Sequence, residues 1–204
     1  MEGIVYILTN EAMPSFVKVG KTNDLMGRIR SLSSSTSIPL EFECYYAARV
    51  ADVDKVEKLL HDAFDDYRRN PRREFFTANP ARVKAALMLA ELEDITPTRE
   101  EVIPDKAERA AIDDLSRRRR DTTLYDLHVN KGEKLTFDRD PSLTCVVHDE
   151  SHVHYSNNIY SLSAAAMKVF EDIGIDRKAA NGWYHWKYEG QRLTDMVDKY
   201  LAGG

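Results

Sequence analysis

The chain has 204 residues, enough for one large or two small domains, each with a core. Its net charge of -5 excludes a general electrostatic pull toward nucleic acid, so any such contact must come from a local patch. No stretch approaches the ~18 apolar residues of a membrane span, Met1-Glu2-Gly3 opens no signal peptide, and Cys44 and Cys145 form neither a zinc knuckle nor a disulfide framework. A cytoplasmic protein is the expectation, with both thiols buried and no membrane partner.

Gly3-Ile4-Val5-Tyr6-Ile7-Leu8 and Val17-Lys18-Val19-Gly20-Lys21-Thr22 are short, apolar and β-branched, and read as two strands of a hairpin. Buried hairpins spend inward positions on hydrocarbon. This one also carries Tyr6, Lys18 and Lys21, three groups able to hydrogen-bond a phosphate. Asp24 then caps a helix whose Leu25, Ile29 and Leu32 share a face with Arg28. A guanidinium inside an apolar stripe needs an anionic partner, which a scissile phosphate would supply.

Residues 41–50 read as a third strand, and Asp52 caps a helix with Val53, Val56, Leu60 and Phe64 as its buried stripe. Glu57 falls on that stripe and His61 on its border. An inward carboxylate is costly unless paired or metal-bound. Glu57 is thus either a structural ion pair, with Arg28 as a candidate partner, or a metal ligand. His61 is either catalytic or a satisfied core histidine. Arg68, Arg69, Arg72 and Arg73 crowd the turn that follows, a solvated face or a patch for gripping nucleic-acid phosphates. Asn79-Pro80 starts a helix with Val83, Leu87 and Leu92 on its apolar face.

Residues 95–122 read as a charged, partly helical linker between a domain at 1–94 and another at 123–204. The second domain contains strands near 134–137, 143–147 and 152–155, an Ala-rich helix from Ser161 and a last helix at 193–201. His148, His152 and His154 lie close in sequence without the donor pattern of a metal site. Trp183 and Trp186 sit in a dense aromatic segment and either stack nucleic-acid bases or fill the domain's core.

The order Gly-x-x-Tyr, spacer, Gly-Lys, then Arg28, with Glu57-x-x-x-His61 and Arg73-Glu74-Phe75-Phe76 after it, resembles the GIY-YIG nuclease domain, in the branch that carries Lys in place of the second tyrosine. The resemblance implies an α+β fold, with a small mixed three-stranded sheet flanked by helices. It implies a catalytic set of Tyr6, Lys18, Lys21, Arg28, Glu57 and His61, in which Tyr6 positions or deprotonates the attacking water. Glu57 would bind Mg²⁺ or Mn²⁺, with Glu74 as a supporting or second metal ligand. The second half resembles the RAMA-like domain, through Ser161-x-Ser163-Ala-Ala-Ala, Asn181-Gly182-Trp183-x-x-Trp186 and Leu193, and implies a second small α+β domain that reads DNA. Together these imply a metal-dependent DNA endonuclease; a non-cleaving nucleic-acid-binding module on the same fold is the alternative.

Overall fold

The computed structural model describes residues 1–34, 38–68, 70 and 73–203. The chain divides into two compact units, Met1–Ser116 and Arg117–Gly204, each an α+β arrangement on its own antiparallel sheet.

In the first unit, β1 (Gly3–Thr9) and β2 (Val17–Thr22) form the expected hairpin, in a register that sets Tyr6 opposite Gly20. On the other side of β1 lies β3 (Glu43–Val50), and the edges are β4 (Phe75–Phe76) beside β2 and β5 (Glu91–Asp94) beside β3. The sheet is therefore five-stranded and antiparallel throughout, not a mixed sheet of three strands. Both extra strands are short. Phe75-Phe76 is too brief to show a period, and Leu92 lies in β5, largely exposed, instead of on the preceding helix.

Alternation along the strands divides the unit into two cores. Val5, Ile7, Val17 and Val19 face α2 (Val53–Ala63) and α3 (Pro80–Leu87). Ile4, Tyr6 and Leu8 face the opposite layer with Leu25 and Ile29 of α1 (Leu25–Ser33). Asp24, Asp52 and Asn79 cap α1, α2 and α3 with their side chains, as their positions predict.

The stretch 95–122, expected as a linker, holds α4 (Arg99–Val102) and all of α5 (Lys106–Asp121). Val102, Ile103 and Ile112 are buried in the core that contains Tyr6, so this stretch belongs to the first unit as far as Ser116. Three apolar residues inside a run of charges are a faint signal. Full burial of such side chains contributes ~1.5–3 kcal/mol each, which accounts for their docking.

In the second unit, β6 (Lys134–Phe137), β7 (Thr144–Val147), β8 (His152–Tyr155) and β9 (Asn158–Ser161) continue through α6 (Leu162–Asp172) and the short α7 (Gly182–His185). Then come β10 (Trp186–Tyr188), β11 (Gln191–Arg192) and α8 (Leu193–Ala202), giving six strands in the order β11-β10-β6-β7-β8-β9. Gly182 has a steric reason: a Cβ there would fall 2.2 Å from the Leu162 carbonyl carbon. Among the described residues no helix is long and apolar enough to cross a membrane. Both cysteines are free, and burial pushes the Cys44 thiol up to about 12.

Candidate active site

Tyr6 is fully buried at the centre of β1, and its ring lies across Gly20 of β2. A Cβ at Gly20 would stand 2.5 Å from the Tyr6 hydroxyl oxygen, so only glycine leaves room for the phenol. Arg28 of α1 donates from Nε to that oxygen at 3.1 Å. Burial raises the phenol's pKa; the Arg28 hydrogen bond and charge oppose this, and the charges of Glu74 and Glu57 add to it. The net direction is upward. The cations do not make Tyr6 a base at neutral pH.

Arg28 differs from its expected setting. It follows Leu25 by one helical turn, yet the residue is exposed, and its long side chain reaches the phenol while the rest of the guanidinium meets solvent. Among the described residues its hydrogen-bond partner is Tyr6, and no carboxylate stands within ion-pair distance.

Lys18, next along β2 on the Tyr6 face, is buried. Its ammonium meets the Glu74 carboxylate at 2.6 Å and lies 5.2 Å from the Phe75 ring centre. Burial would raise the Glu74 pKa, but the Lys18 hydrogen bond and charge outweigh it, helped by His61 and Arg28, and the net shift is downward. Glu74 is thus a partner for Lys18, held on the edge of β2 by the Val19 N–H, which donates to the Glu74 carbonyl at 3.2 Å.

The α2 side supplies the remaining groups. Glu57 is mostly buried, and its partner is Lys21, not Arg28: the Lys21 ammonium lies 2.8 Å from Glu57 Oε2 and 2.8 Å from Asp54 Oδ1. The hydrogen bonds of these two carboxylates raise the Lys21 pKa. His61 lies 3.1 Å from the Val19 carbonyl through Nε2. A carbonyl can only accept, so Nε2 carries the proton, and in the neutral ring Nδ1 is then the acceptor. Its ring also packs 5.2 Å from that of Phe76.

Tyr6, Lys18 and Arg28 thus lie on the α1 face of the sheet and Lys21, Glu57 and His61 on its α2 face, near enough for the charge of Glu57 to act on Tyr6 and those of His61 and Arg28 to act on Glu74. Two members escaped the sequence reading. Asp54 shares the face of Glu57 at the i,i+3 spacing, which is a usable signal. Gly20 could have been found from the hairpin register, as the residue opposite Tyr6.

The expected nucleic-acid contacts fare differently. Arg68 is not a free surface cation: its guanidinium packs 4.9 Å from the Phe76 ring centre and its Nε lies 3.4 Å from Asp65. Arg73 is exposed, while Arg69 and Arg72 lie outside the described residues. Trp186 is fully buried and its indole N–H donates to the Leu162 carbonyl at 3.0 Å, so it is a core residue that no base can reach. Trp183 is half-buried. In the histidine group, His152 meets Asp149 at 3.0 Å, and the rings of His148 and His154 pack edge to face. Among the described residues no cluster of three or more His, Cys, Asp or Glu could hold a metal ion.

The geometry can now be set beside known proteins. Residues 3–91 match the model of the T5orf172 domain. That match spans the hairpin, α1, α2 and α3, and therefore every residue of the cluster. It corrects the resemblance drawn from motif order: the matching family is the T5orf172 domain and not GIY-YIG, and neither GIY-YIG nor RAMA is among the matches. Motifs as short as Gly-x-x-Tyr and Gly-Lys recur by chance, so they do not by themselves separate families. The T5orf172 domain is associated with endonuclease-like proteins. No curated protein and no solved structure matches the chain.

The donor set fits one hydrated divalent ion. Mg²⁺ keeps several waters and binds through one or two carboxylates, and the Lys21 ammonium between Glu57 and Asp54 already stands where a cation would be attracted. Glu74 fits less well, because Lys18 engages its carboxylate.

Proposed function

We propose that the first unit is a metal-dependent DNA endonuclease that hydrolyses phosphodiester bonds. The observation that carries this reading is Arg28, an exposed guanidinium without a carboxylate partner among the described residues, hydrogen-bonded to a buried phenol that also feels the charges of Glu57 and Glu74. The T5orf172 match over the same residues supports it.

In hydrolysis a water oxygen attacks phosphorus, one P–O bond breaks, and the water's proton must leave. Arg28 binds the phosphoryl oxygens and offsets the charge that grows there, a contribution most effective where the donor is fixed in advance. The upward shift of Tyr6 keeps its proton in place, so Tyr6 orients the water by donating a hydrogen bond and does not deprotonate it. His61 Nδ1 is the better proton acceptor, since its Nε2–H is committed to Val19. Lys18 holds Glu74 and shapes the wall of the site. Glu57 would hold Mg²⁺ or Mn²⁺, which when bound stabilises the leaving oxygen.

The second reading is a non-cleaving nucleic-acid-binding module. It is favoured by the two lysines, each tied to a carboxylate, and by the raised phenol. The experiment that separates them is incubation of the chain with plasmid, modified-base and single-stranded DNA in Mg²⁺ or Mn²⁺. Strand scission that needs the metal supports the endonuclease, and binding without scission supports the module.

A further inference from the structure

The Lys21 ammonium is bound twice, at 2.8 Å by Glu57 and at 2.8 Å by Asp54. The two carboxylates differ in setting: the Glu57 side chain is 13% exposed and faces the site, whereas that of Asp54 is 69% exposed and faces water. Both project from one side of α2, a turn apart, while Lys21 arrives from the end of β2. A metal ion approaching Glu57 meets this ammonium first. The two cations compete for the same carboxylate, and their mutual repulsion disfavours both sitting there at once.

We propose that Lys21 is a resident cation of the Glu57 site that a divalent metal displaces, and that Asp54 is the positioning residue that receives it. This rests on the reading of Glu57 as the metal-holding group. Without metal, Lys21 neutralises a mostly buried carboxylate, which would otherwise be an uncompensated charge. When the metal takes Glu57, Lys21 turns onto Asp54. It stays tethered at the rim of the site, where its charge is available to an arriving phosphate. Asp54 thus acts through Lys21 and is not a metal ligand.

The test is direct Mn²⁺ binding to the full chain, followed by calorimetry and by the electron paramagnetic resonance of free Mn²⁺, which needs no catalytic turnover. Lys21→Met removes the competitor and is expected to tighten Mn²⁺ binding about 1.5-fold to fivefold, the range of a partly exposed ion pair. Asp54→Asn strands Lys21 on Glu57 and weakens binding by a similar factor. In the Lys21→Met background, Asp54→Asn then has no further effect. Circular dichroism of each variant confirms that the fold is kept. Unchanged or weaker binding in Lys21→Met overturns the displacement, and an equal loss from Asp54→Asn in both backgrounds overturns its positioning role by making it a ligand. Glu57→Gln separates this inference from the one beneath it. If that change leaves Mn²⁺ binding intact, the metal assignment of Glu57 itself is wrong; if it abolishes binding while Lys21→Met changes nothing, only the displacement fails.

Discussion

The Tyr6 hydroxyl and the backbone of Gly20 are in such close approach that a Cβ on Gly20 would stand 2.5 Å from the oxygen and 2.7 Å from the ring carbon that bears it. Gly20→Ala must therefore push the phenol away from Arg28. The expected result is a stability loss of about 1–3 kcal/mol from overpacking, together with a large fall in DNA cleavage. Chemical denaturation and a single-turnover assay check both. Wild-type values in the two would show that the phenol's place is unimportant.

Arg28→Ala is expected to lower the cleavage rate about 10²–10³-fold, as loss of one fixed donor to a developing charge does. DNA affinity should change far less. Arg28→Lys should not restore the rate, because an ammonium cannot hold the Tyr6 oxygen and a phosphate with separate nitrogens. A proportional fall in rate and affinity would make Arg28 a grip on DNA and not a catalytic group.

Glu74 predicts a pH signature. Its folded-state pKa lies below the ordinary 4.5, chiefly because the Lys18 hydrogen bond and charge outweigh its burial. A lowered carboxyl stabilises the fold above its unfolded pKa, and that contribution is lost as the pH falls through the lower folded value. The stability difference between wild type and Glu74→Gln should thus be constant from neutrality to about pH 5, then shrink on further acidification. Denaturant titrations at a series of pH values measure it. A difference that grows toward acid pH contradicts the Lys18–Glu74 assignment.

The two tryptophans are expected to part company. Trp186→Ala removes a fully buried ring and should cost ~3–5 kcal/mol, enough to unfold the second unit. Trp183→Ala removes a half-buried ring and should be mild in stability. If the second unit reads DNA through its aromatics, Trp183→Ala weakens DNA binding by a folded protein. A folded Trp183→Ala protein with full affinity removes that residue from the interface.

Much of this arrangement is legible in the sequence, for local reasons. The hairpin, the three capped helices of the first unit and the strands of the second announce themselves through β-branched runs, Asp24, Asp52 and Asn79-Pro80. What is not legible depends on pairing across the chain. Phe75 and Phe76 become a strand only because β2 offers an edge, and Leu92 joins a sheet because the helix before it ends at Leu87. Glu57 and Lys18 stand at the inward positions that periodicity predicts, but their partners do not follow from it, and Arg28, expected inside an apolar stripe, is exposed. Glu57 meets Lys21 and Asp54 shares the contact, while Lys18 meets a glutamate 56 residues away. Trp186 shows the same limit, since an aromatic cluster in sequence carries no mark of which ring turns inward.

The most direct test of the central claim is a paired measurement on wild type and Glu57→Gln: single-turnover cleavage of plasmid DNA in Mg²⁺ or Mn²⁺, beside equilibrium binding of the same DNA without metal. The account predicts metal-dependent scission by wild type, none by Glu57→Gln, and nearly equal DNA affinity for the two. Cleavage by Glu57→Gln at the wild-type rate, or no cleavage by wild type under any of these conditions, would contradict it.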